Sequence, residues 1–133
     1  MTIGDPSVFR SLLRTVPSPQ NSPDYMTVLE GGVSWRKGRV SLNYVPDRFI
    51  VTEESWGDYL CALGDASWDT LEAITLRILN DVNNEVVPRW LRVRGSVSAD
   101  VSGLPDRVTH AVVVDDHQPL WDNFALIERW SEH

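Results

Sequence analysis

An α+β fold, with an antiparallel sheet and helices on one of its faces, follows from the order of hydrophobic patterns along the chain. Strand-like runs come in two pairs, 25–29 with 39–45 and Trp90–Val97 with Val108–Val114, and two helical patterns lie between the pairs. Gly31-Gly32 and Lys37-Gly38 supply turn chemistry for a hairpin in the first pair. At 133 residues the chain fits one domain. Within it, residues 1–24 form an N-terminal helix and connector, 25–114 the core, and 119–131 a C-terminal helix.

Each element has its own signal. Asp5-Pro6 reads as an N-cap followed by proline at the first helical position, and Phe9, Leu12, Leu13 and Val16 then share one face. Pro17-Ser18-Pro19 ends that helix. Pro46-Asp47 breaks the second strand. Thr52 caps a helix whose apolar face is Trp56, Tyr59, Leu60 and Leu63, interrupted at Gly64-Asp65. Asp69 caps a longer helix in which Leu71, Ile74, Ile78, Val82 and Val86 keep a helical period down to Pro88. In the third strand Leu91, Val93 and Val97 alternate with Arg92, Arg94 and Ser96, the pattern of a half-buried strand. The last helix places Leu120, Phe124 and Ile127 on one side, near Trp121 and Trp130.

Composition excludes several function classes. With 42% hydrophobic and 23% charged residues this is an ordinary globular composition, and no apolar run reaches the roughly 20 residues that span a bilayer. The N-terminus lacks the basic region and apolar core of a signal peptide, so the expected location is cytoplasmic. A net charge of −7 argues against general affinity for nucleic-acid backbones. Basic residues do gather at Arg36, Lys37 and Arg39 and again at Arg89, Arg92 and Arg94, which leaves a small anionic ligand open. The second group reads as the solvent face of a strand.

His110, Asp115, Asp116 and His117 form the one close grouping of metal-ligating residue types, but the spacing matches no zinc motif, and no metal is expected. Cys61, the single cysteine, sits next to Leu60 and Leu63 and reads as a buried structural thiol. Glu72 has two readings. It closes a capping box with Asp69, or it presents a carboxylate able to accept two hydrogen bonds from a flat heterocycle. Trp35 and Trp56 either stack on such a base or pack the core.

The segment from Tyr44 to Gly95 carries a more specific pattern: Y-V-P-D-R-F-I-V, T-E-E-S-W-G-D-Y-L, L-E-A-I-T-L-R-I-L-N-D and V-P-R-W-L-R-V-R-G. Glu72 precedes Asp81 by nine residues, Asp81 precedes Pro88 by seven, and Pro88-Arg89-Trp90 follows without a gap. In order and spacing this resembles the nitrile reductases of the queuosine pathway (7-cyano-7-deazaguanine reductases) of the tunnelling-fold superfamily, over roughly 50 of 133 residues. The resemblance implies a four-stranded antiparallel sheet in the order hairpin, two helices, hairpin. It also implies assembly of copies into a barrel, with a small heterocyclic ligand bound between subunits of a homo-oligomer. The family glutamate that matches Glu72 holds the guanine-like edge of the substrate; Ser55, Trp56 and Glu54 then fall at the edge of the pocket.

The departures from the family concern the chemistry. The stretch V-L-E-G-G-V-S-W-R-K-G-R contains no cysteine where the family has its nucleophile, and the family's proton-donating aspartate falls near Arg36. Thr52–Tyr59 lines up with the cofactor motif, and its two lysines, which face the phosphates of NADPH, become Glu54 and Gly57. Two lost charge-assisted contacts cost about 3–6 kcal/mol. The expected cofactor is therefore none. Three functions follow: a non-redox enzyme acting on a 7-deazaguanine-, purine- or pterin-like heterocycle, with Glu30, Glu53 or Glu54 as acid–base candidates; a non-catalytic ligand-binding or structural homologue; and a reductase with a relocated nucleophile, for which Cys61 is the candidate.

Overall fold

The computed structural model describes residues 9–131. Strands β2 (Thr27–Val33), β3 (Gly38–Val45), β5 (Trp90–Ala99) and β6 (Val108–His117) form an antiparallel sheet in the order β2-β3-β5-β6. The register places Leu42 opposite both Leu29 and Val93, so the apolar residues of successive strands stand on one face. Two short strands, β1 (Thr15–Pro17) and β4 (Phe49–Val51), pair with each other in a second, two-stranded sheet.

Helices α1 (Glu53–Asp65) and α2 (Leu71–Val86) cover the apolar face, α1 over β2 and α2 over β5 and β6. Thr52 caps α1, its hydroxyl accepting from the Ser55 amide at 3.3 Å. Thr70, rather than Asp69, caps α2, its hydroxyl accepting from the Ala73 amide at 3.1 Å. The capping box over Asp69 and Glu72 is therefore overturned. Gly95 lies where α2 crosses β5; a Cβ there would come within 2.5 Å of the Thr75 hydroxyl and 3.1 Å of Leu71 Cδ1. The core includes Tyr44, Tyr59, Leu63, Ile74, Ile78 and Leu91, each fully buried or nearly so.

Other expectations needed revision. The Asp5-Pro6 cap lies outside the described residues. The helix expected to run to Val16 has given way by Leu13, and Val16 instead pairs with Ile50 in the β1–β4 sheet. Its i, i+3, i+4 spacing persists because Phe9 and Leu13 are buried from a turn as readily as from a helix. Gly31 and Gly32 are ladder residues of β2, opposite Val40 and Arg39, and the turn falls instead at the 3-10 segment Trp35–Lys37. Cys61 is exposed, on the side of α1 away from Tyr59, Leu60 and Leu63. The last helix, α3 (Phe124–Ser131), starts only after Leu120, which is 96% exposed.

One buried polar cluster joins the two helices. The Tyr59 hydroxyl donates to Asp81 Oδ2 at 2.7 Å, and Arg77 Nε reaches both oxygens of the same carboxylate at 3.1 Å. Burial raises the Asp81 carboxyl above its ordinary pKa against the lowering effect of the Tyr59 and Arg77 hydrogen bonds. Burial, and then the Asp81 charge, holds the Tyr59 phenol well above its own. Asp81→Ala strands a buried hydroxyl and a guanidinium, and the expected loss of stability is about 3–5 kcal/mol. Equilibrium urea denaturation checks this; a loss below about 1 kcal/mol would remove the cluster from the role given to it.

Candidate functional site

The motif residues divide into those the scaffold consumes and those it leaves available. The Tyr44 hydroxyl accepts from the Val51 amide at 2.9 Å, which fixes the end of β4 where the chain turns into α1. Asp47 accepts from Arg89 Nη2 at 3.3 Å and from Gln118 Nε2 at 3.1 Å. Arg89 also pairs with Asp24, which accepts from Trp121 Nε1 at 3.0 Å and Asn123 Nδ2 at 3.1 Å. Partial burial raises the Asp24 pKa, but the hydrogen bonds from Trp121, Asn123 and Arg89 outweigh it and hold the carboxyl below its usual range. Tyr59 and Asp81 are spent on each other. The strand break, the helix pair and the Pro88-Arg89-Trp90 corner thus hold one another in place.

Glu72 is the exception. It stands in the first turn of α2, exposed, with Oε2 3.1 Å from His110 Nε2 on β6. Its own backbone N–H, with a further contribution from His110, lowers its carboxyl pKa, so it is ionised at neutral pH. His110 was grouped in the sequence with Asp115, Asp116 and His117, but the sheet separates them. Asp115 pairs with Arg92 at 3.1 Å and Asp116 accepts from Asn83 at 3.1 Å. Among the described residues no three metal-ligating side chains converge.

On the other side of the sheet, β2 and α1 enclose a groove of about 480 Å³. Glu30, Glu53, Trp56 and Gly57 are among its lining residues. Gly31 forms part of its floor, where Leu60 Cδ1 stands 2.5 Å from the position of an added Cβ. Trp56 is 97% buried: its ring stacks on Tyr59 at 5.9 Å and its indole N–H donates to the Glu30 carbonyl at 3.3 Å. Trp35 packs on the core with Arg36 over its ring at 5.3 Å. Ser55 is fully buried, bonded to the Thr52 hydroxyl at 2.8 Å and the Arg14 carbonyl at 3.1 Å, so it ties α1 to the segment before β1. Glu54 is exposed in the first turn of α1 and does not line the groove; neither does Cys61.

Glu72 and the groove therefore do not meet within one chain. Glu72 is on the β6 side and the groove on the β2 side, three strand spacings or about 14 Å apart across the sheet. Glu72, through His110, abuts edge strand β6, and the groove abuts edge strand β2; the outer backbone groups of both strands have no partner strand among the described residues. No helix of the described residues is long and apolar enough to cross a membrane. His110, the contact of Glu72, had no signal in the sequence because the pair spans 38 residues and forms only when α2 lies on β6.

His110→Ala is expected to move the Glu72 pKa upward, toward the ordinary glutamate value, since it removes one of the contacts that lower it. Carboxyl-detected NMR titration reads this directly, and an unchanged or lower value counts against the pair.

No family model matches the chain. Over 73 residues it is 32% identical to the NADPH-dependent 7-cyano-7-deazaguanine reductases of Nitratidesulfovibrio vulgaris strains DP4 and Hildenborough, covering 55% of this chain. The chain spans about a third, 36%, of the length of these curated relatives. Among solved structures, the archaeosine synthase QueF-Like in its apo form is similar in fold, with a TM-score of 0.53 at 18% identity, over 71% of this chain and 94% of that one. The chain is thus similar in sequence, over part of its length, to the 7-cyano-7-deazaguanine reductases and in fold to the archaeosine synthase QueF-Like.

Proposed function

We propose that this protein binds a 7-deazaguanine-, purine- or pterin-like heterocycle through Glu72 and acts on it by chemistry other than NADPH-dependent reduction. One observation carries the reading: Glu72 is an exposed, ionised carboxylate in the first turn of α2, oriented by His110 on β6 through a single contact. A carboxylate so placed accepts from a ring N–H and an exocyclic amine together, and each bond contributes about 1.5–3 kcal/mol where water is excluded.

In an isolated chain Glu72 is too exposed for that, with 54% of its side-chain surface open to solvent. A neighbouring copy supplies the missing wall. Joining the β6 edge of one copy to the β2 edge of the next satisfies both rows of backbone groups. It also brings Glu72 of one copy toward the groove of another, the arrangement expected of a tunnelling-fold barrel. Glu53 then stands in the groove as the acid–base candidate, whereas Glu30 meets the groove through its carbonyl and directs its carboxylate to the opposite face of the sheet.

We assign no NADPH to the groove. Glu30 and Glu53 line it, Glu54 stands beside it, and no lysine or arginine is among its lining residues. No reductive step is assigned. A non-catalytic binding protein is the second reading, favoured by the absence of a thiol or histidine from the groove. The exposed Cys61, outside the groove, leaves a reductase with a relocated nucleophile as the last.

Calorimetry with 7-cyano-7-deazaguanine, guanine and a pterin, with and without NADPH, tests the assignment. The expected result is saturable binding of one heterocycle without NADPH, weakened at least about 100-fold in Glu72→Ala. Equal affinity in the variant would end the role of Glu72. Light scattering at micromolar concentration is expected to give an oligomer, and a monomer would refute the shared site. Multiple turnovers on any of the three would exclude the non-catalytic reading, and loss of NADPH oxidation in Cys61→Ala would restore the reductase.

A further inference from the structure

The face of the sheet opposite the helices holds a second depression, unrelated to Glu72. It measures about 260 Å³ and is lined by Glu30, Arg39, Val40, Ser41, Arg94 and Ser96. The ladder explains why these residues gather. Glu30, Ser41 and Arg94 stand in one cross-strand row, and Arg39 and Ser96 face each other in the next. All point away from α1 and α2, because Val40, Leu42, Val93 and Val97 on the same strands fill the core.

The arginines here behave unlike most of the chain's others. Arg10, Arg14, Arg77, Arg89, Arg92 and Arg107 each pair with a carboxylate, as a net charge of −7 makes easy. Arg39 and Arg94 make no hydrogen bond or ion pair with another described residue, although Glu30 lines the same depression. Their positions are diagonal neighbours on adjacent strands, about 7–8 Å apart. Two guanidinium groups on positions so spaced can reach a single ion between them, and Ser41 and Ser96 line the same hollow.

We propose that this depression is a binding site for a sugar phosphate, either free or as the sugar-phosphate part of a nucleotide. Arg39 and Arg94 clamp the phosphate oxygens through paired N–H groups, and Ser96 donates to the same oxygens, while the Ser41 hydroxyl donates to Asn43 Oδ1 at 3.1 Å at the rim. Glu30 repels a bare phosphate but accepts hydrogen bonds from the hydroxyls of a sugar attached to it. That combination selects a phosphate ester bearing hydroxyl groups over inorganic phosphate. The site does not depend on the proposed base pocket.

Calorimetry at about 0.15 M salt with two probes, inorganic phosphate and ribose 5-phosphate, tests it. Neither probe carries a base, so the result stands apart from any failure at Glu72. Ribose 5-phosphate is expected to bind more tightly than phosphate. Arg39→Gln and Arg94→Gln should each weaken it at least about tenfold, while Arg92→Gln, on the same face but already paired, leaves it unchanged. Glu30→Gln should tighten inorganic phosphate and abolish the preference for the sugar phosphate. No saturable binding of either probe at millimolar concentration overturns the site. Equal weakening by Arg92→Gln would reduce it to general charge attraction, and an unchanged sugar preference in Glu30→Gln would remove Glu30 from it. If the site holds, a nucleoside monophosphate binding more tightly than ribose 5-phosphate identifies the natural source as a nucleotide.

Discussion

The buried carboxylate of Asp81 fixes where everything else lies. It is the point at which α1, through Tyr59, and α2, through Arg77 and its own backbone, are fastened to each other beneath the sheet. Helix α1 then has to lie over β2, and α2 over β5 and β6. The groove beside Trp56 and the position of Glu72 beside His110 are both consequences. A charge taken out of water is expensive, and it is retained only where donors surround it closely. Asp81 meets that condition with a phenol and a guanidinium at hydrogen-bonding distance.

A second set of contacts does comparable work at the far end of the sheet. Arg89 joins Asp24 from the N-terminal connector to Asp47 after β3, and Trp121 and Asn123 from the C-terminal segment close on the same Asp24. His117, Trp121 and Phe124 pack edge to face or tilted around this corner, with Trp90 stacked on Trp121 at 6.5 Å. Segments far apart in the chain are held here by the side-chain donors Arg89, Gln118, Trp121 and Asn123 together with this aromatic packing. The two faces of the sheet consequently differ in kind. One is covered by helices and apolar, while the other is open and carries Glu30, Arg39, Ser41, Arg94 and Ser96 in register.

This division bears on how the similarity to the reductases is understood. Tyr44, Asp47, Tyr59, Asp81 and Arg89 are matched positions, and all five are engaged in fastening one element to another. Much of that spacing is thus a signature of the scaffold. Glu72, by contrast, faces outward as an ionised carboxylate beside His110, and the proposed ligand role rests on that residue.

The sequence by itself determined the four long strands, their two hairpin pairs, the two helices between them and the α+β class, because period-2 and period-3.6 patterns record which face of each element is buried; it missed the short β1–β4 pair. It also determined the Thr52 cap, a local interaction three residues long. Local reading failed where partners are distant. Val16 left the helical pattern because β4, some 35 residues away, offers it a strand. Gly31 and Gly32 stayed in a ladder because Leu60 and Trp56 press on β2 too closely for a side chain at Gly31. Cys61, beside two core leucines in sequence, points outward because neighbouring helical residues are turned about 100° from each other. The candidates Glu30, Glu53, Glu54, Ser55, Trp56 and Glu72 were all legible as residue types. Only the tertiary structure decided that Ser55 is consumed at a helix start, that Trp56 spends its face on Tyr59, and that Glu72 and the groove lie at opposite edges. Distances across a sheet depend on strand order, and strand order is a property of the folded chain that no local pattern encodes.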